Sequence, residues 1–276
     1  MSDTARPPEA AAPGSDEEVA DYTARWRRDG RRYVVLGGGL GMGRQTCHAL
    51  SQLGAEVHVV DSDPDRARRV AGELDGKATA HAADMTRPEE VEALAEAVGD
   101  IDGVADVIGL ARYETLLETG DDTWAFEEAI VLRHAALAIR SFGRRLAERG
   151  RGSMVFVTSV SGMTSAPSHG AYGVYKAGLQ SLARTAANEL GPSGVRVNTV
   201  APGFVLTPRI SAMLDEGGVV RSRDVSPLRR VTMPSDIASA IVFLLGDLAS
   251  GITGHNLVVD AGATTVFPYH TSSQEV

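Results

Sequence analysis

Tyr172 and Lys176 stand four residues apart in Ala171-Tyr-Gly-Val-Tyr-Lys-Ala177, a stretch that opens a run of helical period. Side chains at i and i+4 share one face of a helix, so this tyrosine can work with the lysine, while Tyr175 lies roughly 100° around the helix from Lys176. A phenol, with its ordinary pKa near 10, is a poor base at neutral pH, but an adjacent ammonium favours the phenolate. A phenol tuned in this way can donate or accept a proton near pH 7. Two helical residues at this spacing are more often surface residues, so the rest of the chain must decide.

A second constellation lies near the start, in Val35-Leu-Gly-Gly-Gly-Leu-Gly-Met-Gly-Arg44, which follows an apolar run and opens a helical one. Between strand and helix, Gly37 permits a tight turn, Gly41 lets the backbone approach a pyrophosphate at the positive helix end, and Gly43 lets helix and sheet pack closely. Gly39, Leu40 and Met42 complete the candidate dinucleotide loop. Asp61 ends the next apolar run, 18 residues after Gly43. There a carboxylate accepts hydrogen bonds from the adenosine ribose and repels a 2′-phosphate, which favours NAD over NADP. Asp61 also fits a helix cap, together with Ser62 and Asp63, and Arg66 and Arg68 keep NADP as the lesser alternative. Asp84, followed by Met85, can accept from an adenine amino group or cap the helix beginning near Pro88.

Elements of alternating kind must hold these residues. The short apolar runs YVVL (33–36), VHVV (57–60), VADVI (104–108), MVFV (154–157), VRVNTV (195–200) and NLVV (256–259) are separated by longer amphipathic stretches, and residues 78–82 supply one more short strand. Apolar strands alternating with helices predict a doubly wound α/β Rossmann fold, a seven-stranded parallel sheet with helices on both faces. One helix is expected over TWAFEEAIVLRHAALAIRSF. Residues 1–28 read as a flexible N-terminal extension, with a possible short helix carrying Val19, Tyr22 and Trp26, and residues 29–276 as an NAD(P)-binding catalytic domain.

The 276 residues, 43% hydrophobic and 23% charged, suit one large globular domain. No apolar run approaches the roughly 20 residues that cross a bilayer, and the N-terminus lacks the order of a signal peptide, so a cytoplasmic protein without a membrane partner is expected. A net charge of −9 argues against nucleic-acid binding. The single cysteine, Cys47, excludes an internal disulfide and reads as a small packed hydrophobe; no Cys/His spacing suggests a metal site.

The glycine loop, the Tyr-x-x-x-Lys pair and Ser159, 13 residues before Tyr172, together resemble the short-chain dehydrogenase/reductase family from Arg32 to about Ala263. The resemblance implies a hydride transfer between NAD and a secondary alcohol/ketone pair, in a homotetramer or dimer. It implies that Tyr172 exchanges the proton, Lys176 holds the nicotinamide ribose and tunes Tyr172, and Ser159 orients the substrate oxygen. It places Pro202, Gly203, Val205 and Thr207, in APGFVLTPR, against the nicotinamide carboxamide and phosphates.

Three positions depart from the family pattern. Leu36 replaces the usual threonine before the first glycine. Asp106-Val-Ile-Gly109 replaces Asn-Asn-Ala-Gly, so Val107 and Gly109 line the cofactor beside an aspartate that needs amide or basic donors, or its own proton. Val131 stands where an asparagine commonly helps hold a proton-relay water. These departures leave a second reading open, a catalytically impaired nucleotide-binding regulatory or scaffold protein. His169 reads as a solvated loop histidine, and Arg144, Arg145, Arg149 and Arg151 as a solvated face. Residues 204–226 read as a long loop closing over substrate, with Phe204, Met213, Met163 and Tyr113 as an apolar wall.

Overall fold

A computed structural model describes residues 19–213 and 216–266. Residues 1–18 of the flexible extension read from the sequence lie outside these residues. Seven strands, β1 (Arg32–Leu36), β2 (Glu56–Asp61), β3 (Ala78–Ala82), β4 (Gly103–Asp106), β5 (Gly152–Val157), β6 (Val195–Pro202) and β7 (Asn256–Val259), form one sheet in the order β3-β2-β1-β4-β5-β6-β7. Every neighbouring pair is parallel. The chain winds outward from β1 in one direction and from β4 in the other, so a crevice opens beyond the carboxyl ends of β1 and β4, where such sheets bind ligands.

Alternation within the strands divides the core. On one face Val34, Leu36, Val104, Met154 and Phe156 pack with Val91 and Leu94 of α4 (Pro88–Val98) and with Leu179 and Ala183 of α8 (Gly170–Leu190). On the other, Tyr33, Val35, Val57, Val59 and Val155 pack with Leu50 of α2 (Gly41–Gln52), Val70 of α3 (Pro64–Glu73) and Ile237 and Ile241 of α11 (Pro234–Leu245). Each such fully buried aliphatic contributes about 1.5–3 kcal/mol. Cys47 belongs to this second cluster, fully buried as a small hydrophobe, and burial pushes its thiol pKa up.

The helix expected over residues 123–142 is one continuous rod with two widened sections. Its segments are α5 (Asp121–Glu127), a π-helical stretch Glu128–Arg133, α6 (His134–Ala138), a second π stretch Ile139–Gly143 and α7 (Arg144–Glu148). Each π stretch is only five or six residues long, too short to shift the apolar period of the whole run away from a helical one. Val131 sits inside the first π stretch, fully buried. The expected solvated face is corrected in part. Arg149 reaches back to the Ile101 carbonyl at 2.5 Å, and Arg149 and Arg151 both meet Asp102 at 3.4 Å.

The short helix near the start is α1 (Tyr22–Trp26), capped by Asp21, whose carboxylate accepts from the Ala24 N–H at 3.0 Å. It buries none of its own residues. Arg28, just beyond it, is fully buried and donates to the carbonyls of Arg25, Trp26 and Val242, so its cation faces the carboxyl end of α11. The segment 204–226 is not the loop expected. It holds two short helices, α9 (Pro208–Met213) and α10 (Glu216–Asp224), which weak hydrophobic periodicity concealed. No helix among the described residues is long and apolar enough to cross a membrane.

Candidate active site

A cleft of about 1070 Å³ lies over the carboxyl ends of the strands. Of the residues singled out in the sequence for catalysis or cofactor contact, all but Gly39 line it. The strands explain the convergence. Gly37 follows β1, Asp61 ends β2, Val107 follows β4, Ser159 lies just past β5 and Pro202 ends β6.

The glycine loop turns with Gly37 at φ 78° and Gly41 at φ 54°, the left-handed region that favours glycine. Gly43 has no room for a side chain, since a Cβ there would lie 2.0 Å from the Gly37 carbonyl oxygen. Gly39 belongs behind the cleft rather than in it. Its N–H donates to Asp61 Oδ2 at 3.1 Å, and a Cβ would fall 2.5 Å from that oxygen. Asp61 Oδ1 accepts from the Asp63 N–H at 3.0 Å, so two backbone donors fix the carboxylate at the cleft. The helix cap is Asp63, which accepts from the N–H groups of Asp65 and Arg66. Asp61 is therefore not spent on capping. Asp84 does not cap α4 either, whose cap residue is Arg87; its Oδ1 accepts from the backbone and hydroxyl of Thr86.

At the other end of the cleft, Tyr172 and Lys176 project from the first turns of α8. Tyr175 packs edge-on against Trp124, ring centroids 5.8 Å apart, and does not line the cleft. Ser159 ends the turn after β5, its Oγ accepting from the Ser161 N–H at 3.1 Å. That turn and α8 approach closely because two glycines allow it. A Cβ at Gly162 would sit 2.7 Å from the Ala177 nitrogen, and one at Gly173 would sit 2.9 Å from the Ser161 carbonyl oxygen. The sequence shows only two glycines in SVSG and AYGVYK; that they must be glycines follows from the tertiary contact alone.

The electrostatics differ from the simple sequence expectation. Burial dominates at Tyr172 and raises its pKa to about 12, while the Ser159 hydroxyl beside it pulls the other way. The Lys176 Nζ stands over the ring, 5.6 Å from its centroid. Lys176 is itself buried, donates to the Val157 carbonyl at 2.7 Å, and has its pKa lowered by desolvation to about 8, with Asp106 opposing the shift. Gly109 is close behind, where a Cβ would meet Nζ at 2.9 Å.

His169 is corrected from a solvated residue to a wall of the cleft. Its Nδ1 lies 2.8 Å from Ser161 Oγ, and its ring contacts those of Tyr113 at 5.1 Å and Tyr172 at 6.2 Å. Desolvation holds its pKa below the usual histidine range. Phe204 and Tyr113 line the cleft as expected, whereas Met163 stays outside it, half exposed; Phe126, Ile130 and Arg209 are cleft residues that periodicity did not single out.

Residues 38–264 match a family model described as enoyl-(acyl carrier protein) reductase. Galactitol 2-dehydrogenase (L-tagatose-forming) of Cereibacter sphaeroides is 35% identical over 251 residues, 88% of this chain and 99% of that protein. D-threitol dehydrogenase of Mycolicibacterium smegmatis is 33% identical, over 87% of this chain and 95% of that protein. Among solved structures, a 7α-hydroxysteroid dehydrogenase complexed with NADH and 7-oxo glycochenodeoxycholic acid superposes with a TM-score of 0.84 at 26% identity, covering 88% of this chain and 98% of that one. The fold is a doubly wound parallel sheet with its cleft beyond the carboxyl ends of the strands. The chain belongs to the short-chain dehydrogenase/reductase family.

Proposed function

We propose that this protein is an NAD-dependent oxidoreductase that interconverts a secondary alcohol and its ketone. The observation that carries the reading is the convergence of Ser159, Tyr172 and Lys176 on one cleft whose far end holds the glycine loop and Asp61. The cleft suits a dinucleotide. Gly37 and Gly41 hold the loop in a left-handed turn at the cleft, and Asp61 is fastened by two N–H groups with lone pairs left for ribose hydroxyls. When bound, the nicotinamide ring supplies or takes the hydride.

The chain's own residues do the rest. The Tyr172 hydroxyl gives its proton to the substrate oxygen in reduction and takes it back in oxidation. Ser159, its Oγ held by the Ser161 N–H, donates its own hydrogen to that oxygen and orients it. Lys176 holds the ribose hydroxyls and, as an ammonium, favours the phenolate. The chemistry of the relatives, which act on galactitol and D-threitol, supports a polyol or a related hydroxy compound as substrate. Ser161 and His169 offer hydrogen bonds to a second hydroxyl, while Phe126, Ile130 and Phe204 exclude water from the carbon chain. A homo-oligomer, tetramer or dimer, belongs to the same proposal.

NAD is favoured over NADP by the pairing of the nearby cations. Arg66 Nε lies 3.3 Å from Asp63, and Arg68 lies 2.6 Å from Asp65, so neither is free to offset Asp61 against a 2′-phosphate. Asp61→Ser is expected to raise the NADPH:NADH affinity ratio by about tenfold, measured by nicotinamide fluorescence, because one repulsive charge is removed. An unchanged ratio would take the choice of cofactor away from Asp61. The activity itself is tested by following absorbance at the NADH band with a panel of polyols, secondary alcohols and ketones. Turnover with none of them would overturn the reading.

A further inference from the structure

Lys176 is a buried cation, and its surroundings raise the question of what balances its charge. Its Nζ donates to a neutral carbonyl, that of Val157 on β5. The titratable groups facing it are few. Tyr172 stands on the same helix with its ring at 5.6 Å, and Asp106 ends β4 in register with Phe156, the neighbour of the Val157 whose carbonyl takes the Lys176 hydrogen bond, on the sheet side where Val104 and Phe156 pack with α8. Glu127 of α5 acts instead on Tyr172 and Tyr175. Asp106 is 2% exposed, and its Oδ1 accepts from the Ile108 N–H at 3.0 Å and from His134 Nε2 at 3.2 Å. His134 opens α6 directly after the π stretch and is fully buried. Its Nε2 is as near to Oδ2, at 3.1 Å, but the hydrogen bond points at Oδ1 and leaves Oδ2 without a donor among the described residues.

We propose that Asp106, held in place by His134, is the buried counter-charge that keeps Lys176 an ammonium, a positioning pair placed next to the nicotinamide-ribose site. The proposal rests on the oxidoreductase reading. An asparagine at 106 would be neutral and could supply no such balance. Asp106 already opposes the desolvation of Lys176, and His134 gives its carboxylate a donor that backbone alone does not. A buried carboxylate left without partners takes up a proton and loses its charge, so His134 matters through Asp106. Val131 then matters less than it does in the sequence, because one turn further along the same helix presents the polar group.

The test separates Lys176 from Tyr172 by working in a Tyr172→Phe background, where NADH binding is read by fluorescence from pH 6 to 10. The ammonium form of Lys176 binds the ribose, so affinity falls as pH rises through the lysine pKa. Adding Asp106→Asn removes the negative charge, disfavours the ammonium and moves that midpoint down by about one pH unit. At pH 8 the apparent Kd then rises about fivefold, and at pH 6 it changes by less than about twofold. His134→Gln, which keeps an N–H donor, retains the parent midpoint, and His134→Phe moves it down; this pair carries the test if Asp106→Asn does not fold. Adding Lys176→Met abolishes the alkaline limb. NADH binding with a midpoint that neither Asp106→Asn nor His134→Phe moves, or a limb that survives Lys176→Met, overturns the inference alone. No NADH binding by the parent at any pH overturns the oxidoreductase reading and the inference with it.

Discussion

Tyr172→Phe is expected to lower kcat by about 10³-fold while changing the Kd for NADH by less than about tenfold, since general acid–base catalysis is lost and at most one hydrogen bond to the cofactor goes with it. Phenylalanine keeps the ring against His169 and under Lys176, so packing is preserved and the lost group is the hydroxyl. The pH dependence of the unmodified protein follows from the same residue. Burial raises the Tyr172 pKa to about 12, and a charged Lys176 with a cationic nicotinamide ring opposes that rise. Alcohol oxidation needs the phenolate, so its rate climbs with pH toward the phenol pKa; ketone reduction needs the phenol and falls over the same range. Loss of the Lys176 ammonium above about pH 8 weakens the hold on the cofactor in both directions. Single-turnover kinetics in both directions measure this. Tight NADH binding with no turnover in the parent, unchanged by Tyr172→Phe, would instead establish the nucleotide-binding scaffold left open by the sequence.

Gly43→Ala is expected to cost about 3 kcal/mol of stability or to prevent folding, and to abolish NADH binding in whatever folds. The methyl group would have to occupy a point 2.0 Å from the Gly37 carbonyl oxygen and 2.9 Å from the Gly38 Cα. Both are backbone, so no side-chain rotation relieves the clash, and α2 must lift from the sheet at the end that faces the cofactor. Gly72→Ala provides the contrast. It lies in α3 with nothing within 4 Å of the added Cβ, and the gain in helix propensity should stabilise by about 0.5–1 kcal/mol. Denaturant unfolding of the two variants measures the difference. Equal stabilities would remove the steric account of Gly43.

The strands could be read from the sequence because each is a short apolar run between amphipathic stretches, and local pattern carries that information; their order in the sheet is set by the tertiary structure. The glycine loop, Asp61 at a strand end and the Tyr172–Lys176 pair could be read for the same reason, since their meaning depends on spacing along one or two adjoining elements. Gly39 shows where local reading fails. Its place in the loop suggested cofactor contact, but the group it must not touch is Asp61 on the next strand. His169 shows the opposite failure, a loop residue whose neighbours Ser161, Tyr113 and Tyr172 come from three different places in the chain.

By itself, then, the sequence determined the alternating α/β fold, the glycine loop between its first strand and helix, and the candidate proton donor, all encoded in periodicity and short-range spacing. The tertiary structure alone decided how Lys176 is balanced. Asp106 and His134 are 28 residues apart and carry no joint spacing signal. Only the stacking of the π-bearing helix over the end of β4 brings them together, and only their burial makes the charge of one matter to the other.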